Sequence, residues 1–191
     1  MRLRGIRRKS TRWLSIVFMA SLVAGGITVL AAPGTAFALG PGKVCMYLAP
    51  NALPLDIGHV GWEFQEPGRG YWYGATEDSS TTWIKFATSE NQVHADFKNY
   101  SPGEYTEYRC HSTSVSAVGA AEKQANATAT NGYNPPFNDC LSKAASIYAA
   151  YDSSLDFMWV ATQDPSYWEP TVYFYDFLSL PGVNWGPIHY L

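Results

Sequence analysis

The sequence is organised around one eight-residue stretch, Pro135-Pro136-Phe137-Asn138-Asp139-Cys140-Leu141-Ser142. The two prolines predict an extended approach, because a residue that precedes proline avoids helical geometry. Asn138 or Asp139 can then cap a helix with its side-chain oxygen, and the residues up to about Tyr151 favour helix. Cys140 falls in the first turn, where the partial positive charge of the helix end favours a thiolate. From position alone, a nucleophile and a buried or disulfide-bonded cysteine are equally open interpretations.

The first 38 residues predict an export signal and not a part of the fold. They hold six of the 13 Lys and Arg residues, then an apolar segment over residues 13–32. Ala36-Phe37-Ala38 has the small-x-small pattern of a signal peptidase site. We therefore expect a bacterial-type leader that is cleaved before Leu39, and a secreted protein. The alternative is an uncleaved anchor, because the apolar segment is nearly long enough to span a bilayer.

Removing residues 1–38 changes the charge of the chain. Residues 39–191 keep seven basic and all 16 acidic side chains, a net charge of 7 − 16 = −9 with His neutral. This balance excludes the basic footprint of a nucleic-acid-binding protein. The remaining 153 residues (191 − 38) suit a single domain. We expect a monomer with no nucleic-acid partner and no membrane contact after cleavage.

Three cysteines, Cys45, Cys110 and Cys140, lie in the exported part. An oxidising compartment tends to pair cysteines, and an odd count leaves one over. The parity does not say which cysteine is free. If Cys140 is free, the disulfide is Cys45–Cys110, and this is the pairing that we expect.

Strands are predicted to come first and helices second, as in an α+β domain. We predict strands at residues 43–48, 59–65 and 71–76, with 66–70 as a hairpin loop, and a strand at 104–111. Residues 82–87 fit a short strand or an irregular connection, and 88–103 are predicted to be a long polar loop. A helix within 112–130, capped by Ser114, and the helix that carries Cys140 follow. In the last forty residues only 171–178 suggest a short helix.

A cysteine becomes a good nucleophile when a histidine takes its proton and the imidazolium stabilises the thiolate. His59 heads a predicted strand. His94 falls in the predicted polar loop, His111 follows Cys110, and His189 is near the terminus, so we interpret these three as surface or terminal residues. His59 is preferred because of its sequence context.

That context resembles a known family. His59-Val60-Gly61 at the head of a hairpin is similar to the His-Val-Gly strand of the NlpC-type cysteine peptidases of bacterial cell walls. Asp139-Cys140-Leu141-Ser142 resembles the Asp-Cys-Ser that opens their catalytic helix. Here the histidine precedes the cysteine, which resembles the circularly permuted branch that includes the lecithin:retinol acyltransferase-like proteins with their Asn-Cys helix. The resemblance covers about residues 43–152 and implies a papain-like fold, an antiparallel sheet packed on the helix that bears the cysteine.

The resemblance also implies roles for individual residues. Cys140 would be the nucleophile, with its backbone N–H in the oxyanion hole, and His59 the general base and later the acid. The family places a polar residue on the strand after the histidine; here that strand is apolar until Thr76 and Glu77, so Glu77 is the candidate. The other interpretation of Glu77 is a solvated carboxylate at a hairpin end.

Substrate-binding candidates are Trp62, Trp72 and Asn138. The alternative for each tryptophan is core packing, because side chains alternate between the two faces of a strand.

These features predict a secreted thiol hydrolase or acyltransferase that acts on an amide or ester through an acyl-enzyme. By resemblance, its substrate would be a cell-wall peptide or a lipid acyl group. The alternatives are a non-catalytic secreted binding module on the same fold and a disulfide-stabilised structural protein in which Cys140 is paired. We expect no cofactor and no metal, because Cys110-His111 has no companion ligand pair and the chain has no glycine-rich phosphate loop.

Overall fold

The computed structural model describes residues 40–52, 57–78, 81–100, 105–135 and 137–191. The predicted export signal, residues 1–38, lies outside the described residues. In chain order, the elements are β1 (Gly42–Ala49), β2 (His59–Glu66), β3 (Gly70–Thr76), β4 (Thr82–Ala87), α1 (Glu90–Lys98), β5 (Glu107–Thr113), α2 (Val118–Thr130), α3 (Cys140–Tyr151), α4 (Asp156–Ala161), α5 (Pro170–Tyr175) and β6 (His189–Tyr190). Three short 3-10 helices, Ser153–Leu155, Pro165–Tyr167 and Phe177–Ser179, follow α3, α4 and α5 respectively.

The strands form one antiparallel sheet in the order β4-β3-β2-β1-β5-β6. Strand β1 lies near the middle, between β2 and β5, and its residues 44–48 are fully buried. Its sequence, Val-Cys-Met-Tyr-Leu, is apolar on both faces because both faces of the sheet are covered. The α+β class predicted from the sequence is therefore correct.

The two faces of the sheet pack against different helices. One face contributes alternate residues of β1 and β2 to a core shared with α2 to α5: Val44, Met46, Leu48, Val60, Trp62 and Phe64. The other face contributes Cys45, Tyr47 and Ala49 to a smaller core with α1, which supplies Val93 and Phe97. This second layer is mostly aromatic, with Phe97 stacked on Tyr47 at a ring distance of 3.9 Å.

The predicted disulfide between Cys45 and Cys110 is present, and Cys140 is a free cysteine. Cys45 on β1 and Cys110 on β5 are directly opposed in the sheet register, with Cα atoms 4.1 Å apart. The arrangement in which Cys140 is paired does not occur. Within the described part of the chain, no helix combines the length and the apolar character needed to span a bilayer.

The prediction of a long polar loop over residues 88–103 is wrong, because α1 occupies most of this segment. The side chain of Ser89 caps this helix by accepting a hydrogen bond from the backbone N–H of Gln92. Val93 and Phe97, four residues apart, turn the same face of the helix towards the sheet. Two apolar residues on one face are enough because the sheet supplies the rest of the core.

The predicted Ser114 cap is also wrong, since α2 starts at Val118 without a side-chain cap. Strand β5 continues to Thr113, where it is still paired with Gly42 of β1, so the preceding residues cannot be helical. The backbone N–H of Ala117 then bonds to the carbonyl of Tyr151 at the end of α3. Long-range pairing therefore sets the start of α2.

Two further differences lie in the segments that flank the last helices. The approach to α3 is a tight turn and not an extended segment, because Asn134 and Asn138 are bridged by backbone hydrogen bonds in both directions. In the last forty residues, α4 and the two-residue strand β6 were not predicted. Strand β6 forms only because β5 offers a free edge, with Tyr108 paired to His189.

Candidate active site

The start of α3 holds Cys140 through a reciprocal pair of hydrogen bonds. The Oδ1 atom of Asp139 accepts from the backbone N–H of Ser142 at 2.9 Å, and the Oγ atom of Ser142 accepts from the backbone N–H of Asp139 at 2.9 Å. This is the capping box that stabilises the first turn of a helix. The cap fixes Cys140 as the first helical residue, and Cys140 is buried, with 4% of its surface exposed.

His59 lies where the two layers of the protein meet. It is the first residue of β2, paired with Ala49 at the end of β1. Its ring lies edge-on to Tyr105 of the α1 layer, at a centroid distance of 6.0 Å. His59 also interacts electrostatically with Cys140, which belongs to the core of the α3 layer. The end of β2 therefore lets one imidazole contact residues of both layers.

Glu77 completes the cluster from the residue just after β3. Its Oε2 atom lies 2.9 Å from Nε2 of His59. Nε2 is buried, and no described residue gives it a well-aligned hydrogen bond, so this contact is mainly electrostatic. The Oε1 atom of Glu77 accepts from Nε1 of Trp83 at 2.7 Å and from the hydroxyl of Tyr105 at 3.3 Å. Glu77 is thus held in place from two sides and is not a free hairpin-end carboxylate.

The electrostatics of the cluster favour a charged imidazole. Burial alone lowers the pKa of His59, but the neighbouring Cys140 and then Glu77 outweigh it and raise the pKa to about 10. For Glu77, burial raises the pKa, and the contacts with His59, Trp83 and Tyr105 together bring the pKa below its ordinary value. An imidazolium between a thiolate and a carboxylate satisfies all three groups.

Tyr133 is a member of the site that the sequence did not indicate. Its hydroxyl interacts with both the backbone and the side chain of Cys140. Burial and the nearby Cys140 and Asp139 raise the pKa of this hydroxyl, so that it remains protonated and can donate. Tyr133 lies in the connection between α2 and α3, seven residues before the cysteine. Only the turn between Asn134 and Asn138 brings it back to the helix start.

The two predicted substrate-binding tryptophans lie elsewhere. Trp62 is 2% exposed and stacks on Phe64 within the core, so it lines no open cleft. Trp72 is half-buried, pairs in register with Phe64, and donates its Nε1 hydrogen to Glu66 at 3.1 Å. Phe64 is five residues along β2 from His59, roughly 16 Å away. Both tryptophans follow the core-packing alternative, because β2 and β3 are covered by helices on this face.

Asn138 lies close to Cys140 in the chain, but its side-chain amide is occupied. Its Nδ2 atom donates to the carbonyl oxygens of Asn131 and Gly132, which ties the end of α2 to the start of α3. The residue also borders a polar pocket of about 290 Å³ whose lining includes Lys143 and Trp159. Asn138 thus shapes the entry to α3, and the pocket beside it is open to solvent.

The remaining histidines are separate from the cluster. His94 lies on α1 and not in a loop, with its Nε2 atom 3.7 Å from Oε1 of Glu90. The Nδ1 atom of His111 lies 3.0 Å from the carbonyl oxygen of Asn184, and His189 is exposed on β6. Among the described residues, the arrangement able to support metal ligation is that of Glu63, Glu90 and His94, because the sulfurs of Cys45 and Cys110 are joined in the disulfide.

Comparisons with family models, with curated proteins and with solved structures find no match for this chain. The site is therefore interpreted from its own chemistry. It places a free cysteine at a helix start, an imidazole beside it, a carboxylate behind the imidazole and a tyrosine hydroxyl beside the cysteine backbone. These are the groups that nucleophilic catalysis by a thiol requires.

Proposed function

We propose that the protein is a secreted cysteine hydrolase or acyltransferase that acts on an amide or ester through an acyl-enzyme. The observation that carries this proposal is the position of His59, between the thiol of Cys140 and the carboxylate of Glu77. Since Nε2 faces Glu77, Nδ1 is the nitrogen left to exchange a proton with the thiol. The disulfide between Cys45 and Cys110 is compatible with a secreted protein.

The proposed reaction has two halves. In the first, the thiolate of Cys140 attacks the substrate carbonyl carbon, a C–S bond forms, and the carbonyl π electrons move onto oxygen. When the carbonyl re-forms, the C–N or C–O bond breaks and His59 gives its proton to the leaving amine or alkoxide. In the second half, His59 takes a proton from water or from an acceptor alcohol or amine, which attacks the thioester and releases the thiolate.

The negative oxygen of each tetrahedral intermediate needs preorganised donors. The backbone N–H of Cys140 is one, because it stands at the positive end of α3. The hydroxyl of Tyr133 is a second, since it already lies beside this N–H. Ser142 is not available for this role, because its backbone N–H and its hydroxyl both bond to Asp139.

The proposal also includes the fold superfamily to which the domain belongs. We assign the domain to the papain-like superfamily, in the circularly permuted NlpC branch that includes the lecithin:retinol acyltransferase-like proteins. An antiparallel sheet packed on the helix that opens with Asp139-Cys140, and the order of His59 before Cys140, support this assignment. By the same resemblance, the substrate is a cell-wall peptide amide or a lipid acyl group.

The first test is alkylation of the purified, non-reduced protein with iodoacetamide across a pH range, followed by peptide mapping. Cys140 alone should be labelled, and His59→Gln should slow the labelling. The second test uses p-nitrophenyl acetate and intact-mass measurement after rapid quenching. A single acetyl group on Cys140, absent from Cys140→Ser, would demonstrate the acyl-enzyme. Failure of both reactions in a protein with an intact disulfide would contradict the proposal.

One observation favours a second candidate, a non-catalytic secreted binding module on the same fold. Cys140 is only 4% exposed, so little of its surface is open to a substrate. The same experiment separates the two candidates, because a binding module would leave Cys140 unmodified by both reagents while keeping its fold and disulfide.

A further inference from the structure

A second polar cluster lies on the α1 face of the sheet, away from Cys140. Glu63 points from the middle of β2, four residues or about 13 Å along the strand from His59. Glu90 and His94 lie one turn apart on α1. A carboxylate oxygen of Glu63, a carboxylate oxygen of Glu90 and a ring nitrogen of His94 all lie within 4.8 Å of one another.

Among the residues that the structure describes, two buried atoms in this cluster have no hydrogen-bond partner: Oε1 of Glu63 and Nε2 of His94. Glu63 is fully buried, and Tyr47 donates a hydrogen bond to its Oε2 atom. Unpaired polar atoms of this kind cost free energy in a folded protein. A bound group that contacts both atoms would remove that cost.

We propose that Glu63, Glu90 and His94 form a binding site for a divalent transition-metal cation, with Zn²⁺ as the best-fitting ion. The ion would link the middle of β2 to α1 and so stabilise the fold. This site is distinct from the site of Cys140. The sequence predicted no metal because the ligands come from two elements 27 positions apart and do not form a short motif (90 − 63).

The donor set selects the class of ion. Two carboxylate oxygens and one imidazole nitrogen suit Zn²⁺ and similar ions, whereas Ca²⁺ and Mg²⁺ prefer oxygen ligands only. Ligand atoms in a tetrahedral zinc site are about 3.4 Å apart, so the cluster must contract slightly. Glu90 and His94 are free to do so, because their side chains are 26% and 24% exposed.

The ammonium of Lys43 would compete with the cation for this cluster. Lys43 on β1 forms an ion pair with Glu90, 2.5 Å between Nζ and Oε1. Among the described residues, no hydrogen-bond partner reaches Oε1 of Glu63. The ion must therefore displace Lys43 from Glu90, and it would gain Oε1 of Glu63 as a further ligand.

The test is calorimetric titration of the disulfide-intact protein with ZnCl₂ in a Cys140→Ser background. That background removes the thiol of the catalytic cluster as a competing zinc ligand. We expect one saturable site, which is lost in both Glu90→Gln and His94→Gln. The matched control is His111→Gln, which removes a histidine on β5 that is remote from this cluster and should leave binding unchanged. Circular dichroism checks that each variant is folded.

Two further measurements sharpen the result. Lys43→Met should tighten zinc binding by up to about fivefold, because it removes a competing ion pair worth at most roughly 1 kcal/mol. Co²⁺ in place of Zn²⁺ should give visible d–d bands with no thiolate charge-transfer band. No saturable binding in Cys140→Ser, or binding that survives both Glu90→Gln and His94→Gln, would overturn the proposal. Neither outcome would bear on the alkylation of Cys140.

Discussion

The Oε2 atom of Glu77 lies 2.9 Å from the Nε2 atom of His59, and the opposite oxygen of the same carboxylate is held by Trp83 and Tyr105. The hydrogen bonds from Trp83 and Tyr105 therefore hold the carboxylate in position for its contact with the imidazole. Because Trp83 is on β4 and Tyr105 precedes β5, two separate parts of the chain determine the orientation of His59. This support can be tested directly.

Replacing Glu77 by Gln should slow alkylation and acylation of Cys140 by at least roughly tenfold, a fraction of what a positioned acid–base pair contributes. The amide oxygen can still accept from Trp83 and Tyr105, so the fold should be kept while the negative charge is lost. The pKa of His59, followed by NMR, should fall. Glu66→Gln is the control, because Glu66 lies at the far end of β2 and bonds to Arg69 and Trp72. Equal rates for Glu77→Gln and the unaltered protein would exclude a role for this carboxylate.

The contribution of His59 to stability should depend on pH. Its pKa is raised in the folded protein from 6.5 to about 10, mainly by Cys140 and Glu77 against the opposing effect of burial. The stabilisation is therefore complete below about pH 6.5 and is lost as pH rises towards 10. Urea unfolding between pH 6 and 9 should show the difference between the unaltered protein and His59→Gln decreasing, by at most about 1.4 kcal/mol per pH unit.

Glu77 should determine how the stability of the folded protein changes at acid pH. Its pKa is lowered in the folded protein, so its stabilisation is present above its ordinary pKa of 4.5 and is lost as pH falls below it. The result that would contradict a charged pair of His59 and Glu77 concerns the difference in unfolding free energy between the unaltered protein and His59→Gln. That difference would then stay constant, or grow, up to pH 9.

The capping box at the start of α3 should be worth about 1 kcal/mol. Asp139→Ala removes the acceptor for the backbone N–H of Ser142 and should lower the free energy of unfolding by roughly 0.5–2 kcal/mol. Because Asp139 and Ser142 satisfy each other, the double variant with Ser142→Ala should lose less than the sum of the two single losses. Asp164→Ala is the control, since its exposed side chain caps only a 3-10 turn. Strictly additive losses would show that the two residues act independently.

Local chemistry made part of this structure predictable. Asp139 has a capping side chain three residues before Ser142, and the structure places the helix start there. Cys45 and Cys110 are the expected pair if Cys140 is the free cysteine, and the structure joins them. The resemblance places a polar residue on the strand after the histidine, which indicates Glu77, and the structure brings its carboxylate to His59. These signals lie in a few neighbouring residues, in the count of cysteines or in the short motifs of the resemblance.

The features that were missed depend on contacts between distant segments. Helix α1 has a cap and two buried apolar positions, Val93 and Phe97, but most of its other residues are polar, as in a loop. Tyr133 reaches Cys140 only through a turn that bonds Asn134 to Asn138. A sequence does not show which face of a strand a helix will cover, so it leaves both substrate binding and core packing open for Trp62.

Gly61 should be intolerant of a side chain because α1 packs directly over it. A Cβ atom at this position would lie 2.3 Å from Cε1 of Phe97, whose ring stacks on Tyr47 and contacts Tyr105. Gly61→Ala should therefore lower the free energy of unfolding by about 1–3 kcal/mol. It should also slow the alkylation of Cys140, since Tyr105 helps to hold Glu77. Phe97→Leu frees space beside Gly61, so the double variant should lose less stability than the sum of the two single losses. Additive losses in urea unfolding would show that the glycine is required for another reason.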